Sequence, residues 1–246
     1  MRRLFLLLSL FSLFVVIGAL RQKKVFLFLT RCYLFLGRWF YGLHVEGAEN
    51  MPTEGPCIIV VNHTSPLGAL FVFGKLLLMR GPKICLFYAG GFSHGLLSFI
   101  LRGEKVIGGV KGKGQSTAAL WKGLEMLRAG NAVVLAPEGE MSWDGRLQPL
   151  TPGTAWLALR AGVPVVPVVS KGAYDIMPRW APRPHLRGKI TIRVGRPFYL
   201  SDGPPARVTN GIVQEASQRI WKETAALLLP SGGNRQASSV GGPEAP

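Results

Sequence analysis

From Gly42 onward, short apolar runs alternate with stretches of helical spacing, the pattern of an α/β domain in which buried strands are interleaved with helices. The runs predict strands at 43–46, 57–62, 83–88, 132–136, 163–169 and 189–194. The helical spacing predicts helices at 66–79, 92–101, 115–128, 153–160 and 208–229. No internal repeat is visible. The stretch 174–188 is dense in proline and arginine and reads as a surface loop, not a second domain. Residues 230–246, rich in Gly, Ser and Pro, hold almost nothing to bury and are expected to form a disordered tail.

The chain before Gly42 follows a different pattern. Residues 4–20 form an uncharged, mostly aliphatic run that as a helix covers roughly 25 Å, a little less than the ~30 Å hydrocarbon core of a bilayer. A cleaved signal peptide is the alternative, but the run is long for one and Ile17-Gly18-Ala19 is a poor cleavage site. A retained segment that spans or embeds is therefore expected. In the next stretch, 24–41, the charges Lys24, Arg31 and Arg38 recur every seven residues and fall along one stripe of a helix. A helix lying in a membrane interface would turn that stripe to lipid phosphates and sink Phe26, Leu29, Tyr33, Leu36 and Phe40 among the acyl chains, with Phe28 and Phe35 flanking the stripe. An ordinary amphipathic helix packed on the domain has the same periodicity.

Charge sharpens the choice of partner. The 246 residues are 48% hydrophobic and carry a formal charge of +16, which attracts polyanions, either nucleic acid or anionic lipid. Residues 1–40 hold seven basic residues and no acidic one within an apolar setting that a nucleic-acid arm does not need, and no nucleic-acid motif is present. Membrane phospholipids are the expected partner, and nucleic acid is not. Cys32, Cys57 and Cys85 have neither paired nor metal-like spacing, so no disulfide framework and no metal site are expected, consistent with a cytoplasmic setting.

Candidate chemistry lies where strands end, because a reactive group needs rigid backbone behind it and open space ahead. The apolar strand ending at Val61 delivers Asn62-His63-Thr64-Ser65 into a turn before a helix. Another ends in Pro137-Glu138-Gly139-Glu140. Between them, a glycine-rich loop, 108–114, carries Lys111 and Lys113, which either hold a phosphate by charge and backbone NH groups or form a solvated basic loop. The run 163–168 is a core strand before it is an acyl-chain contact. Histidine, with a pKa near neutrality, is the residue at such a strand end most suited to proton transfer, and His63 is the candidate. His44, His94 and His185 lack a comparable setting.

Taken in order, Asn62-His63-Thr64-Ser65, Pro137-Glu138-Gly139 followed by Asp144-Gly145-Arg146-Leu147, the strand 163–168 and the weaker echo Gly195-Arg196-Pro197 resemble the phospholipid and glycerol acyltransferase superfamily, most closely its lysophosphatidate acyltransferases. The resemblance covers roughly residues 42–200. It implies an α/β acyltransferase-type sandwich, a mixed sheet flanked by helices, with N-terminal membrane-associated helices. It further implies transfer of a fatty acyl group from acyl-CoA or acyl carrier protein to a lysophospholipid hydroxyl, with no cofactor beyond that co-substrate. On this basis His63 is catalytic, and Asn62, Ser65, Lys111, Glu138 and Gly139 bind substrate. The expected layout is membrane-associated helices at 1–41, the acyltransferase domain at 42–229 facing the cytoplasm, and the tail at 230–246.

Two positions depart from the family pattern. Gly68 stands where the family's His-x4-Asp motif has an aspartate that orients the imidazole, and loss of the equivalent group in a serine protease lowers turnover by ~10⁴. Glu138-Gly139-Glu140-Met141 stands where the family has Glu-Gly-Thr-Arg, so the arginine that meets acceptor phosphate is missing. Glu140 or Asp144 is a candidate replacement for the lost aspartate. If none replaces it, the alternative is a catalytically impaired lipid-binding protein of the same fold.

Overall fold

The computed structural model describes residues 23–81, 83–89, 105–109 and 117–229. The predicted segments 4–20 and 92–101, the lysines Lys111 and Lys113, and the tail 230–246 lie outside the described residues.

Helix α1 (Lys23–Tyr41) leads into β1 (His44–Glu46), and a short 3-10 turn precedes β2 (Cys57–Val61). There follow α2 (Pro66–Arg80), β3 (Ile84–Ala89), β4 (Lys105–Gly109), α3 (Thr117–Arg128), β5 (Ala132–Leu135), α4 (Pro152–Ala161), β6 (Val165–Lys171), the single turn α5 (Ala173–Ile176), β7 (Thr191–Val194) and α6 (Asn210–Ala226). The strands form one sheet in the order β1-β7-β6-β2-β5-β3-β4. From β6 to β4 neighbours run parallel, while β7 is antiparallel to β6 and carries β1 parallel beside it, so the sheet is mixed as expected.

Because side chains alternate across a strand, β2 supplies both faces: Cys57, Ile59 and Val61 enter a core roofed by α1, α2 and α5, while Ile58 and Val60 enter one roofed by α3, α4 and α6. The central strands are therefore continuous apolar runs, not alternating ones. Ile58 and Ile59 are fully buried, and each contributes roughly 1.5–3 kcal/mol by leaving water.

The predicted strands and helices that fall on described residues are all present, with ends displaced by three residues at most. Strand β4 has no counterpart among the predictions, because Lys105-Val106-Ile107-Gly108-Gly109 offers two apolar residues and two glycines. The stretch 174–188 is a loop apart from the end of α5.

Helix α1 corrects the expected assignment of faces. Tyr33 stacks on Phe71 of α2 with ring centroids 4.7 Å apart, and Phe40 packs against the same core, so neither points outward as expected. Gly37 permits this approach, since a β-carbon there would run into the Phe71 ring. The outward face combines Arg31 and Arg38 with Phe28, Phe35 and Trp39, which are 61%, 69% and 68% exposed. Among the described residues, no helix is long and apolar enough to cross a membrane.

Candidate active site

At the carboxyl end of β2 the chain leaves the sheet, and Asn62 extends the pairing with β6 through its side chain. Its amide accepts from Ser170 N–H at 2.8 Å and donates to Ser170 C=O at 3.3 Å, imitating a further rung of the ladder. Ser65 then caps α2, its hydroxyl accepting from the Gly68 amide at 3.3 Å, and Pro66 occupies the first turn, where a missing N–H costs nothing. Both side chains predicted to bind substrate are thus occupied in shaping the turn. His63 lies between them, half-buried.

The loop after β5 holds His63 by its main chain. Its N–H donates to Glu138 Oε1 at 2.7 Å, and its carbonyl accepts from Ser142 N–H at 2.8 Å. The other Glu138 oxygen accepts from the Gln148 amide at 2.8 Å. A buried carboxylate with both oxygens on backbone amides positions the histidine. Burial nonetheless raises the proton affinity of Glu138 above the usual carboxyl range, against the opposing effect of those two amides. Gly139 turns the chain at φ +80°, and Thr151 closes the loop by donating its amide and hydroxyl to the Pro137 carbonyl at 2.7 and 2.9 Å.

Neither acid proposed to replace the lost aspartate bonds to the imidazole. Glu140 faces Arg179, with its Oε2 3.6 Å from Nη1. Asp144 accepts from the Arg146 amide and the Ser142 hydroxyl, contacts that keep its carboxyl below the usual range, and also from the Gln148 side chain. The slot opened by Gly68 is already filled: a β-carbon there would lie 2.7 Å from Ser170 Oγ and 2.8 Å from the Ala173 methyl. Among the described residues, no side chain hydrogen-bonds the His63 ring. Burial, and then the positive charge of Arg179, lower its pKa below the ordinary histidine value, which favours the neutral imidazole.

Arg179 is the residue that the sequence did not reveal. It arrives from the loop after α5, donates from Nη1 to the Met141 carbonyl at 2.7 Å, and lies 3.7 Å over the Trp143 ring. Tyr174 ties the two loops by donating its hydroxyl to the Trp143 carbonyl at 2.8 Å, while its ring lies where a side chain at Gly145 would stand. No signal in the stretch 174–188 distinguished this arginine from Arg183 or Arg187. His44 is remote on β1, paired with Glu46 at 3.1 Å, and His185 is exposed. His94 lies outside the described residues. Gly195-Arg196-Pro197 follows β7, away from this turn in sequence, and Gly195 N–H bonds the Pro167 carbonyl of β6.

A family model described as Acyltransferase matches residues 42–171, more than half of the chain. A chloroplastic 1-acyl-sn-glycerol-3-phosphate acyltransferase of Brassica napus is 28% identical over 191 residues, covering 76% of this chain and 54% of that protein. The 1-acyl-sn-glycerol-3-phosphate acyltransferase of Pseudomonas aeruginosa is 29% identical over 208 residues, covering 81% of this chain and 76% of that protein. The chain thus spans about half the length of the plant relative. The crystal structure of the 1-acyl-sn-glycerophosphate acyltransferase from Thermotoga maritima superposes with a TM-score of 0.66 at 19% identity, covering 94% of this chain and 98% of that one, a match of fold.

Proposed function

The chain belongs to the acyltransferase family, and from that premise we propose that it transfers a fatty acyl group from an acyl thioester, acyl-CoA or acyl carrier protein, to the free hydroxyl of a lysophospholipid of the 1-acylglycerol-3-phosphate type. The observation that carries the proposal is His63, fixed through both main-chain groups at the end of a buried strand, where burial lowers its pKa and favours the neutral form that a base needs. In the proposed step the imidazole takes the hydroxyl proton as the oxygen attacks the thioester carbonyl. The C–O bond forms, the C–S bond breaks, and the proton passes to the departing thiolate. No cofactor takes part. The usual aspartate is replaced by confinement: His63 is oriented through its backbone by Glu138 and Ser142.

Membrane attachment belongs to the same proposal. The outward face of α1 joins Arg31 and Arg38, suited to anionic headgroups, with Phe28, Phe35 and Trp39, suited to the acyl boundary. An enzyme whose acceptor resides in a bilayer gains access to it by lying on that bilayer.

The test is acyl transfer from a labelled acyl thioester to a panel of lysolipids by the full chain, beside His63→Ala. Product that disappears in His63→Ala while the thermal midpoint holds supports the proposal. Equal turnover in both, or no product with any donor and acceptor, rejects it in favour of a lipid-binding protein of this fold.

A further inference from the structure

The acceptor end of the site lacks the arginine that the motif would place at Met141, yet a guanidinium lies one hydrogen bond from that residue. Arg179 reaches Met141 from 38 positions along the chain, donating from Nη1 to its carbonyl at 2.7 Å. It is held in place on three sides. Trp143 lies beneath it at 3.7 Å, the Met141 carbonyl fixes one nitrogen, and Glu140 stands 3.6 Å from that same nitrogen. The arginine side chain is 27% exposed and the glutamate 71%, so the carboxylate sits at the solvent side and can swing away. Nε and Nη2 have no hydrogen-bond acceptor among the described residues.

The loop that delivers it is itself anchored. His185 N–H bonds the Ile176 carbonyl at 2.8 Å, Ala181 N–H bonds the Pro178 carbonyl at 3.0 Å, and the Tyr174 hydroxyl bonds the Trp143 carbonyl at 2.8 Å. A planar cation fixed on an aromatic face with two donor-bearing nitrogens left over matches a tetrahedral oxyanion, which takes paired N–H donors.

We propose that Arg179 is the phosphate-binding residue of the acceptor site, supplied from the loop after α5 in place of the motif arginine, and that it selects acceptors ending in a phosphate monoester. The proposal rests on the acyltransferase reading for the identity of the acceptor, but the anion site is testable without catalysis. Glu140 occupies the guanidinium until phosphate displaces it. The basic residue thus comes from a different segment of the chain and meets Met141 across the fold.

The experiment is equilibrium binding in mixed micelles, without acyl donor, of lysophosphatidate, of monoacylglycerol with the same chain, and of inorganic phosphate as competitor. The full chain is compared with Arg179→Ala, Arg179→Lys and Glu140→Gln. The expected result is that the native chain prefers lysophosphatidate over monoacylglycerol and that Arg179→Ala loses at least tenfold of that preference. Monoacylglycerol binding changes less than twofold. Arg179→Lys recovers part of the loss, and Glu140→Gln, which leaves Arg179 in place, tightens lysophosphatidate by a few fold. Inorganic phosphate that competes only at far higher concentration marks the lipid headgroup as the natural source. Equal competition marks the site as one for free phosphate and overturns the assignment to the acceptor. A preference unchanged in Arg179→Ala and in Glu140→Gln, or absent from the native chain, also overturns it. Loss of acyl transfer alone bears on the proposed reaction and leaves this binding result standing.

Discussion

Gly68 packs so closely against Ser170 that a β-carbon on the glycine would fall 2.7 Å from the serine Oγ. The family pattern implies an aspartate at this position, and here Ser170 of β6 and Ala173 of α5 fill the space that its side chain would use. Restoring the acid therefore does not restore a catalytic pair. Gly68→Asp must displace Ser170 and the Ala173 methyl and bury a carboxylate beside them, which costs about 1–3 kcal/mol of strain before any desolvation. The expected outcome is a thermal midpoint lower by several degrees and no gain in acyl transfer. Gly68→Asp combined with Ser170→Ala and Ala173→Gly recovers part of the midpoint. Thermal unfolding of the three proteins checks this, and a stable, faster Gly68→Asp would show that the slot is open.

Glu138 links the same turn to the opposite loop, and its replacement separates stability from positioning. In Glu138→Gln one amide oxygen remains to accept, but an NH₂ group now faces a backbone N–H, either that of His63 or that of Gln148. His63 loses a fixed main chain, and misplacement of about 1 Å lowers turnover by about 10²-fold. Stability changes less, because burial already disfavours the charged carboxylate. With its folded pKa raised, Glu138 gives its full contribution below the ordinary carboxyl pKa and loses it as pH rises through the raised value. Glu138→Gln is therefore expected to lower kcat strongly while flattening the pH dependence of the thermal midpoint in that window. Paired rate and melting measurements across acid pH check both halves.

How far the sequence revealed this site depends on the range of the interaction. His63 and Glu138 end apolar strands, and strands are local patterns, so both were legible, as were the two positions where the motifs fail. Arg179 was not, because it sits in a loop without periodicity and its partners, Met141 and Trp143, lie 38 and 36 positions away, joined only by the folded sheet. Strand β4 escaped because two of its five residues are glycines and its place beside β3 comes from pairing, not from propensity. For α1, the seven-residue spacing placed Arg31 and Arg38 on one side, and both are exposed. The face buried against α2 was set by Gly37 meeting Phe71, a close approach that no pattern of hydrophobicity encodes.

The outward face of α1 makes a prediction independent of catalysis. Phe28 and Phe35 are 61% and 69% exposed, so replacing them costs the fold little, whereas each contributes roughly 1.5–3 kcal/mol when fully withdrawn from water into a membrane. Phe28→Ser with Phe35→Ser is expected to weaken binding to vesicles containing phosphatidylserine by tenfold or more with an unchanged thermal midpoint. Arg31→Ala with Arg38→Ala is expected to weaken it by a factor that shrinks as salt is raised, since about 1 kcal/mol per basic residue at an anionic surface is screened within a Debye length. Sedimentation with vesicles at two ionic strengths reads both effects. Unchanged binding in both variants would place the membrane contact elsewhere on the chain.

The pH dependence of acyl transfer tests the link between Arg179 and His63. His63 must be neutral to accept a proton, and burial followed by the charge of Arg179 depresses its pKa. The acid limb of kcat/KM therefore lies below the ordinary histidine value. Removing the cation in Arg179→Ala favours the imidazolium and moves that limb to higher pH. The other charged groups near the turn pull differently: Glu140 is paired to Arg179, Asp144 is held by Ser142 and Arg146, and Glu138 bonds the backbone amide of His63. Arg179→Ala also releases Glu140, whose negative charge acts in the same upward direction. On the proposed assignment a bound phosphate monoester neutralises Arg179 in the native chain, so the acid limb of kcat, which reports the bound complex, is expected at higher pH than that of kcat/KM. This separation should vanish in Arg179→Ala and with a monoacylglycerol acceptor. Profiles of kcat and kcat/KM measured from pH 4.5 to 8 with both acceptors check the prediction, and coincident limbs in the native enzyme would show that phosphate does not reach Arg179.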